Sequence, residues 1–346
     1  MLATTKKLKD IIHCNPELDS SIVRSYLAVI ANYGGLEDAR GLLQVFMEEP
    51  ADYNRTLLLE PIMKHGDLEL AEDLYEFAIE QHKLKEDMPS EILHVLGYLG
   101  YTGCTETLVS LLTSEDWHLS KDAALGLLHL PCHGYEQQIR TIIDNSIGKS
   151  LFDEFVPALS YKVANNEMVP KLFEWGNSIV STDCNAGIIL GIALYGPDYK
   201  DVIKDILWSE NWEAHDTSTG TRNWSYAAMQ HVQLTFRELI EDLKSAQIPK
   251  RDLFHRLSVL SEMLECKLTL QHQPLRFAAT NDESIFDIYR ELFEWSNSDH
   301  DDSIIGLIAR NLQDEFDLLN KYNHLRDKLE MKMEHLIEVN YLKGEL

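Results

Sequence analysis

The sequence predicts an all-α protein, a right-handed α-solenoid (α-α superhelix) of about ten to eleven short helical hairpins. Three observations carry this. Apolar residues recur at helical spacing through most of the chain. The same phrases return at shifts of 32, 66, 61 and 120 residues. Only 10 prolines and 17 glycines interrupt 346 residues, which suits helices joined by short turns.

Taken in order, residues 1–20 read as a leading helix that ends near Asn15-Pro16, because proline disfavours helix at the residue before it. Ser20 and Ser21 then offer capping hydroxyls to a helix carrying Ile22, Val23, Tyr26, Leu27, Val29 and Ile30. Gly34-Gly35 ends that helix, and a left-handed glycine is the expected closing residue. The second helix carries Ala39, Leu42, Leu43 and Phe46. A shift of 32 places Leu59, Ile62, Gly66, Leu68, Ala71, Leu74 and Tyr75 on Leu27, Ile30, Gly34, Leu36, Ala39, Leu42 and Leu43. The hairpin of 27–78 is therefore written twice.

After a polar break at 83–89, a shift of 66 sets Leu93, Leu96, Gly100, Val109, Leu112 and Leu125 on the first hairpin pair. A further 61 sends Leu111, Leu125, Gly126 and Leu127 to Leu172, Ala186, Gly187 and Ile188. The phrase Leu172-Phe173-Glu174-Trp175-Gly176-Asn177-Ser178 returns 120 residues later as Leu292-Phe293-Glu294-Trp295-Ser296-Asn297-Ser298. A diverged copy is expected over roughly 215–275. The amphipathic stretch 316–346 has the polar face that a capping helix needs. Residues 213–223 form a polar loop insertion between Trp212 and Trp224, inside an otherwise single array spanning 1–346.

The run 93–128 resembles HEAT-like repeats of the short phycobilisome-lyase type. Its likeness lies in Leu96-Gly97-Tyr98-Leu99-Gly100, Leu108-Val109-Ser110-Leu111-Leu112, Asp116 and Ala123-Ala124-Leu125-Gly126. The arginine typical after the turn aspartate is missing; Lys121 is the nearest basic residue. Ala71, Tyr75 and Ala78 resemble the second helix of a tetratricopeptide repeat instead, although Leu59 stands where that family has glycine. Either resemblance implies a solenoid used to bind other proteins, and neither transfers a catalytic residue.

Composition narrows the function. A net charge of −26, from 57 acidic and 31 basic side chains, repels phosphate backbones and argues against nucleic acid. Acid concentrates in 37–87, with 14 acidic and 5 basic residues, and in 282–302, with 8 against 1; solvated helix faces or a basic partner explain both. Five widely spaced cysteines suit free thiols in a reducing compartment. No signal-peptide core or membrane-length apolar run is present, so a cytoplasmic protein is expected.

Chemistry is hard to find. His129 and His133 have the spacing of two zinc ligands, but Pro131 interrupts the helix they would need. Asp299-His300-Asp301-Asp302 reads as a capping turn, and no nucleophile elbow, phosphate loop or Cys-x-x-Cys pair occurs. No cofactor or metal is expected. The partner-binding candidates are Trp117, Trp212 and Trp224 beside turns, with His215, Asp216 and Arg222 in the polar loop. The expected function is a non-catalytic protein-binding scaffold or adaptor, in one form an acidic inhibitor or immunity protein for a basic partner. The alternatives are a lyase- or ligand-handling enzyme that uses the solenoid cavity, with His215, Asp216, Arg222 and Tyr226 turned inward, and a peptide-sensing regulator. A small-molecule ligand is left open.

Overall fold

The computed structural model describes residues 1–14, 20–48, 53–147, 155–178, 185–245 and 250–269, with the short pieces 275–276, 283–284, 287–288 and 290–291. The capping stretch 316–346, the second tryptophan phrase at 292–298, the aspartates at 299–302 and Cys184 lie outside the described residues. Those residues are overwhelmingly helical. None of their helices is long and apolar enough to cross a membrane. They fall into two compact units, the first ending at Ser146 and the second beginning at Ile147.

The first unit runs through α1 (Ala3–Cys14), α2 (Ser20–Tyr33), α3 (Leu36–Glu48), α4 (Tyr53–Leu57), α5 (Leu59–His65) and α6 (Leu68–Ala78). A two-residue hairpin, β1 (Ile79–Glu80) with β2 (Lys83–Leu84), follows. The unit closes with α7 (Glu91–Tyr98), α8 (Thr105–Leu111), α9 (Trp117–Leu128) and α10 (Glu136–Ser146). The shift of 32 carries α2 and α3 onto α5 and α6. Helix α2 packs on α5, α5 on α7, and α7 on α9, while α3, α6 and α8 each pack against the first helix of the following hairpin. The repeated apolar positions are what these contacts bury: Leu27, Ile30, Leu42, Phe46, Leu59, Ile62, Leu74, Leu93, Leu96, Val109, Leu112 and Leu125. Leu68 departs from that set at 55% exposed, because it is the first residue of α6 and points away from the interface its helix makes later.

The glycines that end α2 and α5 are not left-handed. Gly66 is extended, at φ −72° and ψ 168°, and Gly34 is absent from the positive-φ residues. What excludes a side chain is space, since a Cβ on Gly34 or Gly66 would lie 2.4 or 2.6 Å from the carbonyl oxygen of Ile30 or Ile62. The expected left-handed closure occurs at Gly100, φ 84°. Asp67 starts α6 by accepting the Leu70 N–H at 3.0 Å, as an N-cap does. Arg55, in α4, is buried against the end of α3. Its guanidinium donates to the Phe46 carbonyl at 2.7 Å and lies 4.4 Å from the Phe46 ring and 5.4 Å from Phe77.

In the second unit the described elements are a 3₁₀ turn (Val156–Leu159), α11 (Ser160–Val163), α12 (Met168–Ser178), α13 (Asn185–Ala193), α14 (Lys200–Trp208), α15 (Thr221–His231), α16 (Phe236–Ser245) and α17 (Lys250–Thr269). All nine residues of α13 are buried, as a helix apolar on every side requires. It packs against the 3₁₀ turn, α12, α14 and α15, and α15 packs on α17. Outside this core, Lys200 pairs with Glu238 at 2.8 Å, while Asp242 of α16 receives Trp208 at 2.8 Å and Arg256 at 3.2 Å. Those bonds tie α14, α16 and α17 together at their surface.

Candidate protein-interaction sites

The structure separates the expected anchors. Trp117 is 39% exposed just after Asp116, which caps α9 by accepting the His118 N–H at 3.0 Å. Its ring stacks on His118 at 3.6 Å, and the Lys121 ammonium lies 5.2 Å from it. Trp224 is half-buried with its ring 4.5 Å from Phe155.

Trp212 is core and must be corrected as a surface anchor. It is 1% exposed, donates from Nε1 to Asn177 Oδ1 at 2.9 Å and stacks on Phe173 at 5.6 Å. A Cβ on Gly176 would lie 1.9 Å from its ring, so glycine makes the slot that the indole fills. The polar residues after Trp212 suggested a surface position, but the tertiary partner on α12 decides it. The repeated phrase around Trp175 is thus half of a packing device, with Trp175 itself 3% exposed.

The polar insertion is shorter than expected, because α15 begins at Thr221. The remaining loop is a folded knot. Asp216 accepts the Ser218 N–H at 3.1 Å, the Thr219 N–H at 3.2 Å and both hydroxyls. Burial opposes its charge, but these bonds outweigh burial and bring the carboxyl down to about 2. Arg222 pairs with Glu262 at 2.5 Å and Glu265 at 3.3 Å on α17. Tyr226 is buried and accepts from Gln230 at 3.0 Å, and His215 faces His255. Each group that an inward-turned catalytic cluster would use is engaged with a different partner.

Other chemistry is equally dispersed. His129 ends α9, with Nδ1 3.0 Å from the Leu125 carbonyl and its ring 4.9 Å from Tyr98, whereas His133 is exposed beside Glu136. Among the described residues no three His, Cys, Asp or Glu side chains are grouped as a metal would need. Burial pushes the Cys104 and Cys266 thiols up to about 12, which leaves both protonated and unreactive at neutral pH. A cleft of about 600 Å³ beside α16 is lined by Arg237, Glu241, Lys244, Asp287, Arg290 and Glu291, and those charges already pair with one another.

A different surface joins two tyrosines that lie 26 positions apart in the chain. Tyr75 of α6 and Tyr101, in the turn after α7, stand with ring centroids 5.1 Å apart and planes tilted by 48°. Gly103 leaves room for the Tyr101 ring, which a Cβ there would meet at 2.7 Å. The Tyr75 hydroxyl lies 3.4 Å from Thr107 Oγ1, which also faces His82 Nδ1 at 3.3 Å. Burial raises the Tyr101 phenol above its ordinary value, and the negative charges of Glu72 and Glu76 raise it further. Glu72, Asp73 and Glu76 are exposed, and among the described residues no basic side chain pairs with them. Arg40, on α3, is taken by Glu69 at 2.6 Å and Asp67 at 3.5 Å. Periodicity pointed to Tyr75 only as a helix position and to the acid of 37–87 only as a composition. The signal that could have located the pair was Tyr101 directly after the closing glycine of α7.

Comparison of the chain with protein-family models, curated proteins and solved structures finds no match in any of the three.

Proposed function

We propose that each unit is a stretch of α-solenoid built from HEAT-like hairpins, and that the protein is a non-catalytic scaffold for a basic partner protein. The tyrosine pair edged by unpaired carboxylates carries this reading. An arginine guanidinium can lie on a tyrosine face and donate to a neighbouring carboxylate at once, a combination that suits neither a phosphate nor an apolar ligand. The order of packing supports the solenoid: α2, α5, α7 and α9 follow one another side by side, each hairpin touching its neighbours. A net charge of −26 would draw a basic partner in and speed its encounter. An inhibitor of a basic toxin or nuclease is one form such a scaffold would take.

The test begins with affinity purification from the source cell and measures the Kd of the recovered partner. Binding should weaken by more than tenfold between low and physiological salt. Glu72→Gln with Glu76→Gln should weaken it about tenfold, and Glu167→Gln with Glu174→Gln, an equal charge change on α12 and the turn before it, by less than twofold. Affinity indifferent to salt and equal in both double variants would overturn the reading.

A further inference from the structure

Two imidazoles meet where the polar loop reaches α17. His215, in the loop, and His255, on α17, stand edge to face with ring centroids 5.2 Å apart and planes at 78°. His215 Nδ1 and His255 Nε2 are both shut off from water, and among the described residues neither has a hydrogen-bond partner. The ordinary satisfaction of a buried histidine, a carbonyl or carboxylate on the inner nitrogen, is missing on both sides of the contact. Neutral rings pack well in this arrangement. A charge on His255 would leave its inner N–H without an acceptor against the His215 ring.

The surroundings favour the uncharged state. Burial and the adjacent His215 disfavour a charge on His255 and hold its pKa below the ordinary value; Glu210 pulls the other way, and Arg256 and Asp252 add smaller, opposing effects. Arg256 is fixed in place by Asp242 of α16 and lies over Trp208 of α14. From α15, Arg222 brings its charge to Glu262 and Glu265, further along α17. The loop is anchored at one end by buried Trp212 and Ala214 and at the other by Arg222. Between them the bonds of Asp216 stay inside the loop. The ring pair joins the loop to the helix.

We propose that His215 and His255 form a pH-sensitive latch, closed at neutral pH when the His255 ring is uncharged and released in mild acid when that ring takes up a proton, freeing the loop from α17. Hydrogen–deuterium exchange of the full chain at pH 7.5 and 5.5, corrected for intrinsic rates, tests it. Amides of 213–220 should exchange at least tenfold faster at pH 5.5, while those of α6 and α7 hold. His255→Phe keeps an aromatic partner that cannot be charged, and should abolish the acid response. Should that variant loosen the loop at pH 7.5, NMR titration of the wild-type His255 ring protons still decides, because His215→Phe must raise the midpoint of His255. Equal protection at both pH values, an acid response that survives His255→Phe, uniform acceleration across the whole chain, or a His255 midpoint unmoved by His215→Phe would each overturn the latch.

Discussion

Ser90 donates a 2.5 Å hydrogen bond to Asp122, a carboxyl only 3% exposed on the neighbouring helix α9. Burial pushes this acid up to about 6, against the opposing pull of Lys121 and the Ser90 hydroxyl. The folded state therefore holds the proton more tightly than the unfolded chain, where an aspartate titrates near 3.8. Any stability this group contributes is complete below about pH 4 and is lost as pH rises through 6. Asp122→Asn keeps a partner for Ser90 and removes the charge. Urea denaturation should find it more stable than wild type by about 2 kcal/mol at pH 7.5, with the gap closing toward pH 4.5. A gap that does not change with pH would contradict the assignment.

Helices α7 and α9 touch backbone to backbone. A Cβ on Gly97 would fall 2.1 Å from the Gly126 carbonyl oxygen, and one on Gly126 would fall 2.5 Å from that of Leu93. These contacts are with main chain, which cannot swing aside as a flexible side chain can. Gly97→Ala should lower stability by about 3 kcal/mol despite alanine's better helix propensity, because the two helices must move apart. Thermal denaturation measures this directly. A rise in Tm would show that the helices are not in that contact.

The tryptophans give an opposed pair. Trp212→Ala removes a buried indole and its bond to Asn177, and should cost about 3–5 kcal/mol in chemical denaturation. Trp117→Ala, at an exposed helix start, should stay within about 0.5 kcal/mol. Equal losses would mean that the packing of one of them has been misjudged.

Much of the architecture was readable from spacing. The shift of 32 that set Gly66 on Gly34 and Ile62 on Ile30 corresponds to two helix pairs whose first helices end in the same way and which bury Ile30 and Ile62, Ala39 and Ala71, and Leu42 and Leu74 alike. Periodicity succeeds there because one helix face repeats the same neighbour contacts. It fails where a residue's partner is remote in sequence. Trp212 needs the slot at Gly176, and the β1–β2 hairpin depends on left-handed Gln81 and His82, which no glycine or proline announces.

The candidate site was less legible for a related reason. His215, Asp216 and Arg222 were singled out together because they are adjacent in the chain. In the fold they serve three separate purposes, facing His255, closing a turn and pairing with Glu262. Tyr75 and Tyr101 were not associated at all, since their contact forms only when the turn after α7 comes back to α6.

By itself, the sequence determined that this protein is helical, where α2 begins and where α2 and α5 end, and which leucines and isoleucines the first-unit helices bury. Those properties depend on local spacing, capping and the avoidance of water, all of them written within a few turns of chain. The tertiary structure alone decided which polar and aromatic residues meet: Asp122 with Ser90, Tyr75 with Tyr101, His215 with His255. A hydrogen bond or a ring contact acts over a few ångströms, and residues 32, 26 and 40 positions apart come that close only after the helices have packed.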